Sequence, residues 1–282
     1  MNRAAYFGLI ASLLLALAGA GCKSEFEKIR ASGDNESIYK EAMKFYEEGE
    51  FQKAQTLFEL VIGSFRGRPE LEDIYFKYAY TYYYLEKYVL AAYYFKNFSN
   101  TFPTNPLRQE ADFMTAYSNY RLSPSFRLDQ TYTQSAIDEF QLFVNTYPES
   151  ERVEECNLLI DQLRQKLERK AYATGELYFD LRQYQAATQT FENLLKDFPE
   201  TDNSEYIRYM IVRSAFLLAD NSIFEKQRER YQTALDYATD FLEKYQDSKY
   251  LSEVQTIFDQ SSNKLNSFTD GGYKNQSAGA GS

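Results

Sequence analysis

Apolar positions between Phe51 and Tyr245 fall at a helical spacing that repeats. Ala54, Phe58 and Phe65 share the pattern Ala-x3-Phe-x6-(Phe/Tyr) with Ala91, Phe95 and Phe102, with Ala136, Phe140 and Tyr147, and with Ala187, Phe191 and Phe198. Ala234, Ala238 and Tyr245 form a fifth, weaker copy. Phe51, Tyr88, Tyr184 and Tyr231 each stand three residues before the repeat alanine. All these positions share one face of an α-helix. Pro103, Pro148 and Pro199, directly after the last aromatic, predict where three of the helices stop. A second helical pattern precedes each first one: 76–85 (FKYAYTYYYL) aligns with 113–122 (FMTAYSNYRL) at a spacing of 37. Small residues recur within it, namely Ala42, Ala79, Ala116 and Gly175. Glycine and proline are sparse between the N-terminal segment and the tail, so an all-α body is expected.

Helix pairs with a small residue at the crossing point and this Ala…Phe…Pro order resemble tetratricopeptide repeats. The resemblance implies a superhelical array of about five pairs, in which stacking buries apolar faces that no pair buries alone. The repeat alanines stand 37, 45, 51 and 47 residues apart. The extra length is expected in the 123–133 insertion (SPSFRLDQTYT), a long helix around 152–181 and the polar segment 220–230. The chain divides into a signal segment 1–21, a linker 22–34, repeats one to three in 35–150, repeats four and five in 151–265, and a Gly/Ser-rich tail 266–282 expected to be disordered.

The N-terminus reads as an address. Arg3, the apolar run ending Leu13-Leu14-Leu15-Ala16-Leu17-Ala18, and small residues before a cleavage point describe a secretory signal peptide. Cys22 follows Gly19-Ala20-Gly21, which resembles a bacterial lipobox, although Gly19 stands where that pattern usually has leucine. The run is shorter than the roughly 20 apolar residues a spanning helix needs. Lys23 and Ser24, rather than an aspartate, follow the cysteine, which favours the outer membrane.

Composition narrows the chemistry. The chain has 282 residues, no histidine, no tryptophan and two cysteines, so the commonest general base and metal ligand is absent. A net charge of −10 argues against nucleic acid as partner. Phosphate loops, nucleophile elbows and metal-ligand clusters are missing, and no catalytic residue, metal or cofactor is expected. Cys156 reads as a small buried residue. Glu72 and Asp73 fit a helix start. Glu41, Glu47, Glu48, Glu50, Glu154 and Glu155 fit solvated faces, and Lys226, Arg228 and Arg230 form a short basic run.

The 26 tyrosines and 22 phenylalanines separate by phase. Those of the repeat signature are expected in the core. A second set projects from first helices: Tyr39, Met43 and Tyr46, then Phe76, Tyr80 and Tyr83, then Phe113, Tyr117 and Tyr120. These either fill space between neighbouring first helices or form an aromatic peptide-binding groove, and tyrosine suits both roles.

The lipobox-like cysteine, five repeats and the insertion before the third repeat's second helix together resemble the BamD family of outer-membrane β-barrel assembly lipoproteins. Asp129-Gln130-Thr131 leading into Ala136 and Phe140, and 194–201 (LLKDFPET), carry the resemblance most closely. It implies a non-enzymatic periplasmic protein, lipidated at Cys22 and tethered to the inner leaflet of the outer membrane. Its implied partners are a BamA-type barrel protein, through the C-terminal repeats, and the C-terminal segments of unfolded outer-membrane proteins, in the N-terminal repeats. The residues admit two other readings: a periplasmic repeat scaffold for cell-wall or envelope organisation, and a glycan-binding lipoprotein, which the lack of tryptophan disfavours.

Overall fold

The computed structural model describes residues 25–277, so the signal segment, Cys22 and residues 278–282 lie outside the described part. Among the described residues there are twelve helices and no strands. The short α1 (Glu25–Arg30) lies within the expected linker, and its Phe26 meets Phe45 edge to face at 5.8 Å. Three pairs follow in a first compact unit: α2 (Asn35–Glu47) with α3 (Phe51–Val61), α4 (Glu70–Tyr84) with α5 (Tyr88–Thr101), and α6 (Arg108–Leu122) with α7 (Thr131–Thr146). Two more, α8 (Val153–Asp180) with α9 (Tyr184–Asp197) and α10 (Ser204–Asp220) with α11 (Phe224–Lys244), precede the last helix, α12 (Leu251–Ser277).

The compact units divide at Ile160 and Asp161, inside α8, rather than near residue 150. Ser125–Gln130 of the insertion belongs to the second unit. There Lys170 Nζ donates to the Leu128 carbonyl at 2.6 Å, and the guanidiniums of Arg127 and Arg169 lie 4.7 and 4.4 Å from the Phe126 ring centre. Helical backbone continues to Ser277, well into the segment whose composition suggested a disordered tail.

Two aromatic contacts recur with the repeat. The residue three before the small one meets the phenyl four after the repeat alanine: Phe76 with Phe95 at 6.1 Å, Phe113 with Phe140 at 6.0 Å, Tyr172 with Phe191 at 6.5 Å. The residue four after the small one meets the first aromatic of the next helix: Tyr46 with Phe51, Tyr83 with Tyr88 and Phe179 with Tyr184, at 5.5–5.7 Å. The second contact spans a tight turn whose left-handed residue is Gly49, Glu86 or Arg182. In each turn the next N–H reaches back to a carbonyl in the helix: Glu50 to Phe45, Lys87 to Tyr82, Gln183 to Tyr178. That is the Schellman arrangement, which satisfies carbonyls the helix end would leave unpaired.

Helix ends are as uniform as the turns. Phe102, Phe198 and Tyr245 leave the helical region at φ −122°, −132° and −124°. A following proline disfavours helical backbone at the first two, but Gln246 follows Tyr245. Ring contacts one turn back are common to the proline and non-proline ends: Phe98–Phe102 at 5.2 Å, Phe143–Tyr147 at 5.1 Å and Phe241–Tyr245 at 4.9 Å.

Ala42, Ala79, Ala116 and Gly175 are all buried, and Ala215 fills the matching place in α10. Phe58, Phe65, Phe95, Phe140 and Phe191 are fully buried, as the repeat phase requires. Gly175 is the tightest crossing: a Cβ there would lie 2.5 Å from the Phe191 ring. The ring is itself buried, so it has little room to retreat. Gly175→Ala should therefore destabilise the second unit by about 1–3 kcal/mol, the usual cost of overpacking, measured as a lower urea midpoint; an unchanged midpoint would show that the crossing relaxes freely.

Candidate functional site

First helices of the first unit present an aromatic face, and repeat register decides how much of it is exposed. Phe113, three residues before Ala116, is only 3% exposed, packed against Phe140 and Phe143 under the Arg152 guanidinium. It is a core ring and departs from the expected stripe. Phe76, in the same register, is half-buried against Phe95 and Phe98. Tyr39 is half-buried beside Phe65 at 5.2 Å, and Met43 is half-buried.

The remaining predicted residues join into one network. Tyr46 lies 6.3 Å from Tyr84; Tyr80 stacks on Tyr84 at 5.6 Å; Tyr83 contacts Tyr84 and Tyr117; Tyr117 contacts Tyr120. Tyr120 sits where Tyr46 and Tyr83 sit in their pairs, but Thr133 replaces the aromatic that would meet it. The insertion has removed the tight turn, and Tyr120 stays half exposed.

Tyr84 was missed by phasing on the small residue, although it lies one turn beyond Tyr80. It is 46% exposed and stacks on Phe51 at 4.3 Å. Arg121 was also missed, one turn beyond Tyr117. Its Nη1 donates to the Tyr83 hydroxyl at 3.4 Å and its guanidinium lies 4.7 Å from the Tyr88 ring centre.

Carboxylates hold the more buried hydroxyls. Tyr80 donates to Glu110 at 2.7 Å, and Glu110 also receives Arg152 at 2.8 Å. Burial first, and then that hydrogen bond, push the Tyr80 phenol well above its ordinary value. Burial likewise raises Tyr46, with Tyr84 adding to the effect. The raised Tyr80 and Tyr46 phenols stay neutral, and tyrosine rings give the face apolar area with hydroxyl rims.

A second aromatic group, outside the predicted stripe, occupies the second unit. Tyr209 stacks on Tyr250 at 4.1 Å, Tyr172 and Tyr206 adjoin them, and Arg213 lies over Phe179 and Tyr209 while paired with Glu253 at 3.1 Å. The same unit has a cleft of about 280 Å³ between α9 and α11, floored by Arg208 and Ile211 of α10 and flanked by Lys196 and Asp240. Tyr237 donates to Glu192 across it, as Lys96 pairs with Glu139 across α5 and α7 at 2.7 Å. The Nε of Arg208 is buried there without a hydrogen-bond partner among the described residues.

Among the described residues, no helix is long and apolar enough to cross a membrane and no side-chain cluster could hold a metal. Cys156 is buried, and burial pushes its thiol up to about 11, away from the thiolate that nucleophilic chemistry needs. Asp73 pairs with Lys77 at 2.7 Å in the first turns of α4, and Glu41 with Lys44 at 3.0 Å. Both are ordinary helix-surface pairs. The described tyrosines build an aromatic face with hydroxyl rims on stacked helix pairs.

Residues 31–205 match the family described as "YfiO: Outer membrane lipoprotein", and the chain belongs to this family. It is similar to "Outer membrane protein assembly factor BamD" of Rickettsia prowazekii (strain Madrid E), 23% identical over 244 residues that make up 86% of this chain and 93% of the relative. A BamD-class relative from Aquifex aeolicus (strain VF5) is 23% identical over 84% of this chain and 78% of its own length. Among solved structures, the "TPR2AB-domain:pHSP90-complex of yeast Sti1" aligns with a TM-score of 0.37 at 12% identity, over 82% of this chain and 100% of that one.

Two carboxylate-held tyrosines report on the fold. Tyr147 donates to Asp112 at 2.7 Å and Tyr209 to Glu253 at 2.6 Å. Burial first, and then these bonds, push both phenols up to about 12 from an ordinary 10.0. The unfolded chain ionises first, so the stability they contribute is complete below pH 10 and is lost as pH rises towards 12. Unfolding midpoints should fall across that window, and phenolate absorbance should show a late-titrating class of tyrosine. Loss of stability already complete at pH 10 would contradict this.

Proposed function

We propose that this chain is a non-enzymatic, lipid-anchored component of the machinery that assembles β-barrel proteins in the outer membrane. In this reading the first unit receives the C-terminal segments of unfolded outer-membrane proteins on its tyrosine face. The second unit holds a BamA-type barrel protein. Cys22 carries the lipid that keeps both at the periplasmic face of the membrane. The observation that carries the reading is family membership over residues 31–205.

The geometry supports the two binding roles. Tyr46, Tyr83, Tyr84, Tyr117 and Tyr120 form a broad half-exposed face suited to an extended chain with aromatic and alternating apolar residues. The α9–α11 cleft, flanked by the Lys196 side chain, suits a folded partner that brings an acceptor.

Mild detergent extraction of the tagged chain should recover a BamA-type barrel protein from the membrane fraction. Cys22→Ser should move the chain out of that fraction. Recovery of no barrel partner, or unaltered barrel-protein levels with a division defect on depletion, would favour the envelope-scaffold reading instead.

Tyr80 and Tyr84 separate binding from packing. Tyr84→Ala removes an exposed ring and should weaken capture of an aromatic-ended peptide with a midpoint change within about 1 kcal/mol. Tyr80→Ala breaks the contact with buried Phe95 and the bond to Glu110, and should cost about 3 kcal/mol or more. Unchanged peptide binding by the Tyr84 variant would remove the face from the proposal.

A further inference from the structure

We propose that Arg121 and the tyrosines around it hold the terminal carboxylate of a peptide whose last residue is aromatic. The inference rests on the peptide-binding reading above and names the chemistry that gives it direction. Arg121 ends α6, exposed to solvent, with Tyr83 accepting its hydrogen bond at 3.4 Å and Tyr88 beneath it at 4.7 Å. Its visible neighbours are the Tyr83 hydroxyl and the Tyr88 ring, with Tyr117 against Tyr83 at 6.3 Å. Among the described residues it forms no ion pair.

Other arginines of the chain show what is missing. Arg68 lies over Phe65 and pairs with Glu70 at 2.9 Å; Arg152 lies over Phe113 and pairs with Glu110 at 2.8 Å. Arg164 lies over Phe198 and pairs with Glu200 at 2.9 Å; Arg213 lies over Tyr209 and pairs with Glu253 at 3.1 Å. Four times, then, an arginine laid against an aromatic ring takes a carboxylate from the same chain. Arg127 of the insertion and Arg169 of α8 share the Phe126 ring. On the tyrosine face Arg121 has the ring and lacks the acid, so an incoming chain supplies it.

The shape favours a chain end over an acidic side chain. Tyr84, the most exposed ring of the network, lies 5.8 Å from Tyr83, which carries Arg121. A terminal aromatic residue bears its ring and its carboxylate on neighbouring atoms, so one residue engages Tyr84 and Arg121 together. A guanidinium fits the two oxygens of a carboxylate side by side, which an ammonium does not.

The test uses the full mature chain and fluorescently labelled decapeptides of alternating polar and apolar residues ending in phenylalanine. One has a free carboxylate, one is amidated, and one is amidated with a glutamate before the phenylalanine. Wild type should bind the free acid about tenfold or more tighter than either amide, the loss expected when a charged hydrogen bond is removed. Arg121→Gln should bind all three alike, at the level of the amides, and Arg121→Lys should restore only part of the preference. An unchanged thermal midpoint keeps the result from being a folding effect. Equal binding of acid and amide by wild type, or a preference that survives Arg121→Gln, overturns the inference. If that equal binding is still weakened by Tyr84→Ala, the peptide-binding reading stands without it. Strong binding of the glutamate amide overturns the terminal source, and absence of binding by any peptide overturns both.

Discussion

In four of the five helix pairs a small buried residue on the first helix is matched by a buried phenyl ring on the second, and the crossing of the two helices depends on that match. Where the small residue is Gly175, even a methyl group would strike the ring of Phe191. Alanine serves at the other crossings, where it is completely buried. A helix pair closed this way still has an apolar outer edge, which only the next pair covers. Burial of the ring, the close approach of the helices and the need for a neighbour are thus one constraint.

That constraint also fixes what is left for function. Rings three residues before the small one are drawn into the helix crossing, as Phe76 and Phe113 are. Rings four residues after it are drawn to the turn, where Tyr46 meets Phe51 and Tyr83 meets Tyr88. The intermediate positions, and those just beyond the turn, keep an exposed edge. Tyrosine tolerates that half-buried setting, because its ring packs while its hydroxyl finds Glu110 or water. The third pair differs because the insertion replaces its tight turn, and Tyr120 is released from a packing role.

Much of this was legible in the sequence. The repeat, its five copies, the long helix of the fourth pair and the core phenylalanines follow from local periodicity, because a helix face is set by residues within a few turns. The insertion was visible as extra length, but its attachment to Lys170 and Arg169 was not, since those contacts join residues about forty positions apart. At the C-terminus, composition suggested a disordered tail from residue 266, and helical backbone runs to Ser277. Small and polar residues weaken a helix without forbidding it, and α12 continues through them.

The aromatic face shows where local reading stops. Phase identified nine candidate residues, but exposure depends on what a neighbouring helix places opposite each one. Phe113 is covered because α7 brings Phe140 and Phe143, while Tyr84, outside the nine, keeps an open face at the end of α4. Charge behaves likewise: Arg213 is neutralised by Glu253 from another helix, and Arg121, among the described residues, meets Tyr83 and Tyr88 rather than an acid. The sequence by itself determined the helices, their pairing rule and the inventory of rings and charges, all of which rest on short-range spacing. Only the tertiary structure decided which rings stay open and which cations meet an acid, because burial and pairing belong to surfaces assembled from separate helices.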